Sequence, residues 1–169
     1  MLSAFARARR LTTLDELTAE WTLRAVTRAV LDELGRGKAK DPTLGQVHAE
    51  SWLTVVPSDS LEDLRVFGEY SRVLGSSKKN IGEASILAWA EVQGGIVIID
   101  DAAAVAAAKS RGVKVRRSLA LLCDALERQR LRIPDASRLV DDLIRGGARF
   151  PCDGVEFERW AKANGLISD

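Results

Sequence analysis

Histidine is almost missing from this chain: His48 is the only one. One histidine makes no histidine zinc site, and a Ser-His-Asp set or a Cys-His pair would have to use His48. His48 itself, on an apolar face near Trp52, reads as a packed or surface residue. Cysteine is scarce too. Cys123 and Cys152 form no CxxC pair, which excludes a disulfide framework and fits a thiol protein of a reducing compartment. No apolar run approaches the roughly 20 residues of a membrane span. The first ten residues lack the apolar core of a signal peptide, and Asp15 and Glu16 soon follow their arginines, so the expected compartment is the cytoplasm. Charge of one sign is not in surplus either. Twenty-five Lys and Arg face 24 Asp and Glu, so polyanion binding would have to rest on a local patch. No Walker loop is present, no GxGxxG follows a strand, and there are no repeats, linkers or low-complexity segments.

What is present is an alternation of short apolar runs and amphipathic stretches. Trp21 to Val26, Leu53 to Val56, Ile96 to Ile99 and Val113 to Val115 read as strands, the third as a buried parallel one. Helices are expected at Leu2–Ala8, Thr13–Ala19 and Arg28–Leu34, the last stopped by Gly35-Arg36-Gly37. A further helix runs through Leu44, Val47, His48 and Trp52. Another carries one broad stripe of Leu61, Leu64, Val66, Phe67, Tyr70, Val73 and Leu74. Helices from Asn80 to Val92, Ala102 to Ser110, Ser118 (as its cap) to Arg128, Ala136 to Arg145 and Val155 to Ala163 complete the chain. Strand-helix alternation from residue 21 to 128 implies a mostly parallel sheet flanked by helices. The 169 residues are read as one domain, with a core over 1–130 and a C-terminal helical extension over 131–169.

The acids form the one coherent cluster. Asp100 and Asp101 end the third strand, where functional groups gather in open parallel sheets. Two adjacent carboxylates repel, and a cation relieves them. The plainer alternative is that Asp101 caps the helix from Ala102. Glu83 completes a capping box, Asn80-Ile81-Gly82-Glu83, yet a right-handed connection also brings it towards the same strand end. Glu33, with Asp32, stands in the last turn of its helix, where a negative charge costs about 0.3–1 kcal/mol. A solvated surface acid and a cation ligand both remain open there.

Asn80-Ile81-Gly82-Glu83-Ala84, then Ile96-Val97-Ile98-Ile99-Asp100-Asp101, then Gly112-Val113-Lys114-Val115 resemble the PIN-domain nucleases, closest to the toxins of VapBC toxin–antitoxin systems. Val30-Leu31-Asp32-Glu33-Leu34 resembles that branch's second-helix motif, and Leu139 to Phe150 its C-terminal helix and turn. The resemblance implies a PIN-like three-layer α/β fold and a ribonuclease that hydrolyses RNA phosphodiester bonds with Mg²⁺ or Mn²⁺. Glu33, Glu83 and Asp101 would be catalytic, and with Asp100 they would hold the metal. Lys78, Lys79, Arg117 and Ser118 would meet the RNA, Ser118 keeping the hydroxyl of a Gly-Thr that Arg117 interrupts. A small antitoxin and a second copy are the implied partners, with no membrane. The branch also carries an acid on a central first strand. Here Met1 to Phe5 resembles the residues just after that acid and none precedes Asp15, so the resemblance implies a start placed too far downstream, weak activity, and unpaired edges on two neighbouring strands. The competing readings are an inactive PIN-like module binding RNA or protein, and a phosphoacceptor domain. The latter wants a lysine at a strand end, whereas Lys114 sits inside Val113-Lys114-Val115.

Overall fold

The computed structural model describes residues 1–75 and 80–168. In chain order its elements are α1 (Leu2–Arg7), α2 (Leu11–Thr18), β1 (Ala25–Thr27), α3 (Arg28–Gly37), a 3-10 helix (Pro42–Ala49), β2 (Thr54–Val56), α4 (Leu61–Leu74), α5 (Ile81–Gln93), β3 (Ile96–Ile98), α6 (Ala102–Ser110), β4 (Lys114–Arg116), α7 (Ser118–Glu127), α8 (Ile133–Arg145) and α9 (Phe157–Ala163). They form two compact units, residues 21–116 and residues 1–20 with 117–169. No helix among the described residues is long and apolar enough to cross a membrane.

The unit 21–116 carries all four strands. They are parallel, as the alternation implies, but they form two separate pairs. Ala25 pairs with Thr54 in one and Ile96 with Lys114 in the other. Helix α5 packs on both β1 and β3. The run at Ile96 is therefore not buried on both faces. Ile96 is 57% exposed, while Val97 and Ile99 are buried, the alternation of a strand covered on one side.

Side-chain size explains how the helices reach this sheet. Ala104, Ala107 and Ala108 give α6 a face of methyl groups, and Ala84 and Ala88 do the same for α5. Larger side chains, Val66, Tyr70 and Leu87, fill the remaining space. The stripe expected along α4 is narrower than its apolar residues suggest. Val66 and Tyr70 are buried, whereas Leu61, Leu64 and Val73 are 89%, 53% and 69% exposed. A spacing of four keeps Val66 and Tyr70 on one face, Leu61 and Leu64 fall on the opposite side, and Val73, on the buried face by spacing, is exposed in the last turn. Ser60 starts α4 with a reciprocal capping box: its Oγ accepts the Asp63 N–H at 3.0 Å and Asp63 accepts the Ser60 N–H at 3.3 Å.

A polar staple fastens α4, α5 and the end of α6. Arg111 donates to Glu91 at 2.5 and 2.6 Å and pairs with Glu69 at 2.7 Å. The Tyr70 hydroxyl donates to Glu91 at 2.8 Å, and the Arg111 guanidinium lies 5.1 Å from the Tyr70 ring centroid.

The expected helix through Trp52 is a 3-10 helix that ends at Ala49, begun by Pro42 and by Asp41 accepting the Thr43 N–H at 3.1 Å. In the other unit, Phe5, Leu14, Leu122, Val140, Leu143 and Phe157 form the core. An added Cβ on Gly146 would meet the Ala4 carbonyl oxygen at 2.5 Å, so a glycine is needed where the end of α8 crosses α1.

Candidate functional site

Glu33 is not at a helix end. Helix α3 continues through Gly35 to Gly37, so Glu33 lies within it and the expected clash with the helix dipole does not arise. The glycines serve packing instead. A Cβ on Gly35 would stand 3.4 Å from His48 Nε2, and one on Gly37 would stand 2.6 Å from Leu44 Cδ1. Their missing side chains let the 3-10 helix lie against α3, and the helical hydrogen bonds persist.

The Glu33 side chain reaches the start of α5, where the Gly82 backbone N–H acts to lower its pKa. The expected capping box is absent there. Asn80 turns its side chain backwards, donating to the carbonyl oxygens of Leu74 and Gly75. An acid from α3 thus faces a helix start that its own cap leaves open. The approach is close: a Cβ on Gly82 would lie 2.7 Å from Glu33 Oε2 and 3.4 Å from Val30 Cγ2. The motifs in the sequence do not single out Gly82. Its one signal is a glycine inside the first turn of an otherwise good helix, where it costs about 0.5–1 kcal/mol relative to alanine.

Glu83 is the next residue in the same turn. Its Oε2 is buried and has no hydrogen-bond partner among the described residues. Burial pushes the Glu83 carboxyl above its ordinary range; its own backbone N–H opposes this and the Asp101 charge adds to it. The Glu33 carboxyl is raised as well, first by burial and then by the Glu83 charge, against the Gly82 N–H and the Arg36 charge. The Glu83 charge thus acts on Glu33, and the Asp101 charge acts on Glu83, an acidic row linked by its charges.

Asp101 does cap α6, accepting the Ala104 N–H at 2.9 Å. It is exposed, and Asp100 beside it is half-buried. Both readings of Asp101 therefore meet in one residue: it caps a helix, and its charge acts on Glu83. Among the described residues, no three acidic, cysteine or histidine groups converge tightly enough to hold a metal ion in this arrangement. The donor chemistry nevertheless suits a hard divalent cation, with carboxylate oxygens, one of them buried and unpartnered, set where like charges need relief.

Lys78 and Lys79 fall outside the described residues. Arg117 and Ser118 belong to the unit that holds α7. Arg117, not Ser118, occupies the N-cap of α7, and Ser118 is its first residue, 1% exposed. His48 is exposed.

Gly82→Ala tests the geometry directly. The new methyl is expected to push the flexible end of Glu33 off the Gly82 N–H and towards solvent. The Glu33 titration followed by ¹³C NMR should then fall towards the ordinary glutamate value. Stability should change by less than about 1 kcal/mol, because alanine's better helix propensity offsets the displacement. An unchanged Glu33 titration would contradict the contact.

The model of the DUF3368 family, a PIN domain, matches residues 1–156 of the chain. No curated protein and no solved structure matches it.

Proposed function

The chain belongs to the PIN-domain family, and we propose that it is a metal-dependent endoribonuclease, the toxin of a VapC-like toxin–antitoxin pair, hydrolysing RNA phosphodiester bonds at Glu33, Glu83 and Asp101. The observation that carries the reading is the buried, unpartnered Glu83 oxygen between the charges of Glu33 and Asp101. Glu33, Glu83 and Asp101, with Asp100, would hold the metal through their carboxylate oxygens. When bound, Mg²⁺ or Mn²⁺ supplies a Lewis acid that lowers the pKa of a water and offsets charge on the phosphate. The Ala104 N–H fixes Asp101, and Glu33 lies close against Gly82, so both carboxylates are placed by the backbone of a helix start.

The VapC-like branch supplies the remaining proposals: RNA as substrate, a small antitoxin as inhibitor, a second copy as partner and a cytoplasmic setting. That branch also has a central strand bearing an acid. In this chain β1 and β3 each pair on one side only among the described residues. The site proposed on the residues present is Glu33, Glu83, Asp100 and Asp101. A second reading, an inactive PIN-like module that binds RNA or protein, draws support from the open spacing of these acids.

Asp101→Asn separates the readings. Asparagine caps a helix about as well as aspartate, so the melting temperature should stay within about 2 °C of the parent. Mn²⁺-dependent cleavage of a single-stranded RNA should fall at least about tenfold, the low end for disturbing a metal site. Wild-type protein that neither cleaves RNA nor gains thermal stability with Mn²⁺ would establish the inactive module.

A further inference from the structure

Downstream of Glu33 the chain reads Arg36, Lys38 and Lys40, all exposed. None of the three has an ion-pair partner among the described residues. Two other cations of the same unit are spent internally, Arg65 on Glu62 and Glu69, and Arg111 on Glu69 and Glu91. The three are also placed by the fold. Arg36 stands three residues beyond Glu33 on α3, close enough for its charge to act on that carboxyl. Lys38 caps α3 with its N–H bonded to Leu34 and Gly35. Its stem lies across Gly45, where an added Cβ would come within 2.9 Å of Lys38 Cδ. Lys40 is held by an N–H bond to the Gly37 carbonyl at 3.0 Å. His48 lies over Gly35 in the same junction of α3 with the 3-10 helix. The nearest acid in sequence, Asp41, is turned into its bond with the Thr43 N–H.

We propose that Arg36, Lys38 and Lys40, with His48 beside them, form a cationic strip that binds the phosphodiester backbone of an RNA strand and leads it to Glu33. The proposal rests on the nuclease reading of the acidic row and adds the path of the substrate. Complementing the α3 dipole would account for Arg36 and Lys38. It does not account for Lys40, which lies beyond the last turn, nor for a glycine kept clear beneath the Lys38 stem. Phosphate binding uses all of these, because a bound backbone neutralises several spaced cations at once.

The test is fluorescence anisotropy with a labelled single-stranded oligoribonucleotide in EDTA, so that binding is read without cleavage. Arg36→Gln/Lys38→Gln/Lys40→Gln is compared with Arg72→Gln/Lys109→Gln/Lys114→Gln, which removes the same charge from other exposed positions of the unit. Circular dichroism confirms that both are folded, and Arg36→Gln/Lys40→Gln replaces the first if it is not. The strip variant should bind at least about tenfold more weakly, and its slope of log K against log salt should be shallower by about 2, the value for three phosphate contacts on a single strand. The control should match the parent. Equal binding and slope in strip variant and parent, or equal losses in strip variant and control, would overturn the proposal. Parent protein that binds through the strip but never cleaves in Mn²⁺ would defeat the nuclease reading and leave the strip standing.

Discussion

Glu83→Gln is expected to lower Mn²⁺-dependent RNA cleavage by at least about 100-fold, beyond the 10–100-fold typical of outer-shell losses, while making the metal-free protein more stable. The two effects have one origin. The Glu83 carboxyl is held above its ordinary range, chiefly by burial, with an oxygen that nothing hydrogen-bonds among the described residues. An acid raised in this way takes up a proton on folding between its unfolded and folded pKa. Its contribution to stability therefore falls as pH rises through that window and stays low above it. Glutamine carries no charge to desolvate. At about pH 7.5 the variant should melt above the parent, by about 2–4 °C for each kcal/mol removed. The gap should close as pH drops below the ordinary glutamate range, where both side chains are neutral. Added Mn²⁺ should reverse the order by raising the parent's melting temperature and leaving the variant's unchanged. Cleavage that survives the substitution would remove Glu83 from the site. A lower melting temperature without metal would mean that the carboxylate has a partner which stabilises it.

Tyr70→Ala should be among the most destabilising single changes in the unit 21–116, costing about 3–5 kcal/mol as other buried aromatic truncations do. The ring is fully buried against Val66 and Leu87, and its loss leaves a cavity. It also removes the donor to Glu91 and the face under Arg111. Tyr70→Phe isolates the polar part. It keeps the ring and leaves the Arg111–Glu91 pair intact, so the cost should be about 1 kcal/mol, the net worth of one hydrogen bond. Urea denaturation of the two variants checks both values. If Tyr70→Phe proves as damaging as Tyr70→Ala, the hydroxyl and not the ring fastens α4 to α5.

The order of elements is legible in the sequence because hydrophobic period and turn residues mark it locally. Ser60 with Asp63, and Gly94 with Gly95, bound their helices by chemistry that acts within a few residues. The division of the strands into two pairs is not legible, since pairing depends on residues far apart. Gly35 and Gly37 mislead for a related reason: a glycine that ends a helix and one that admits a neighbour look alike until Leu44 and His48 are in place. The acids are visible as residues, and their order along the row is not. That the Glu83 charge acts on Glu33 depends on Glu33 of α3 lying against Gly82 of α5. Asn80 marks the limit of motif reading, because a residue of the correct type at the cap position bonds backwards to Leu74 and Gly75.

The composition of the two units has a consequence for the timing of synthesis. Residues 21–116 are one uninterrupted stretch, whereas the other unit joins the first 20 residues to residues 117–169. The bond from Arg10 to Asp142 spans 132 positions, while the strand pairs close over 18 and 29, from Ile96 to Lys114 and from Ala25 to Thr54. On a ribosome, which releases chain from one end only, every residue of the acidic row emerges before α8 exists. The stretch bearing these acids can then condense as a unit while α1 and α2 still wait for their partners.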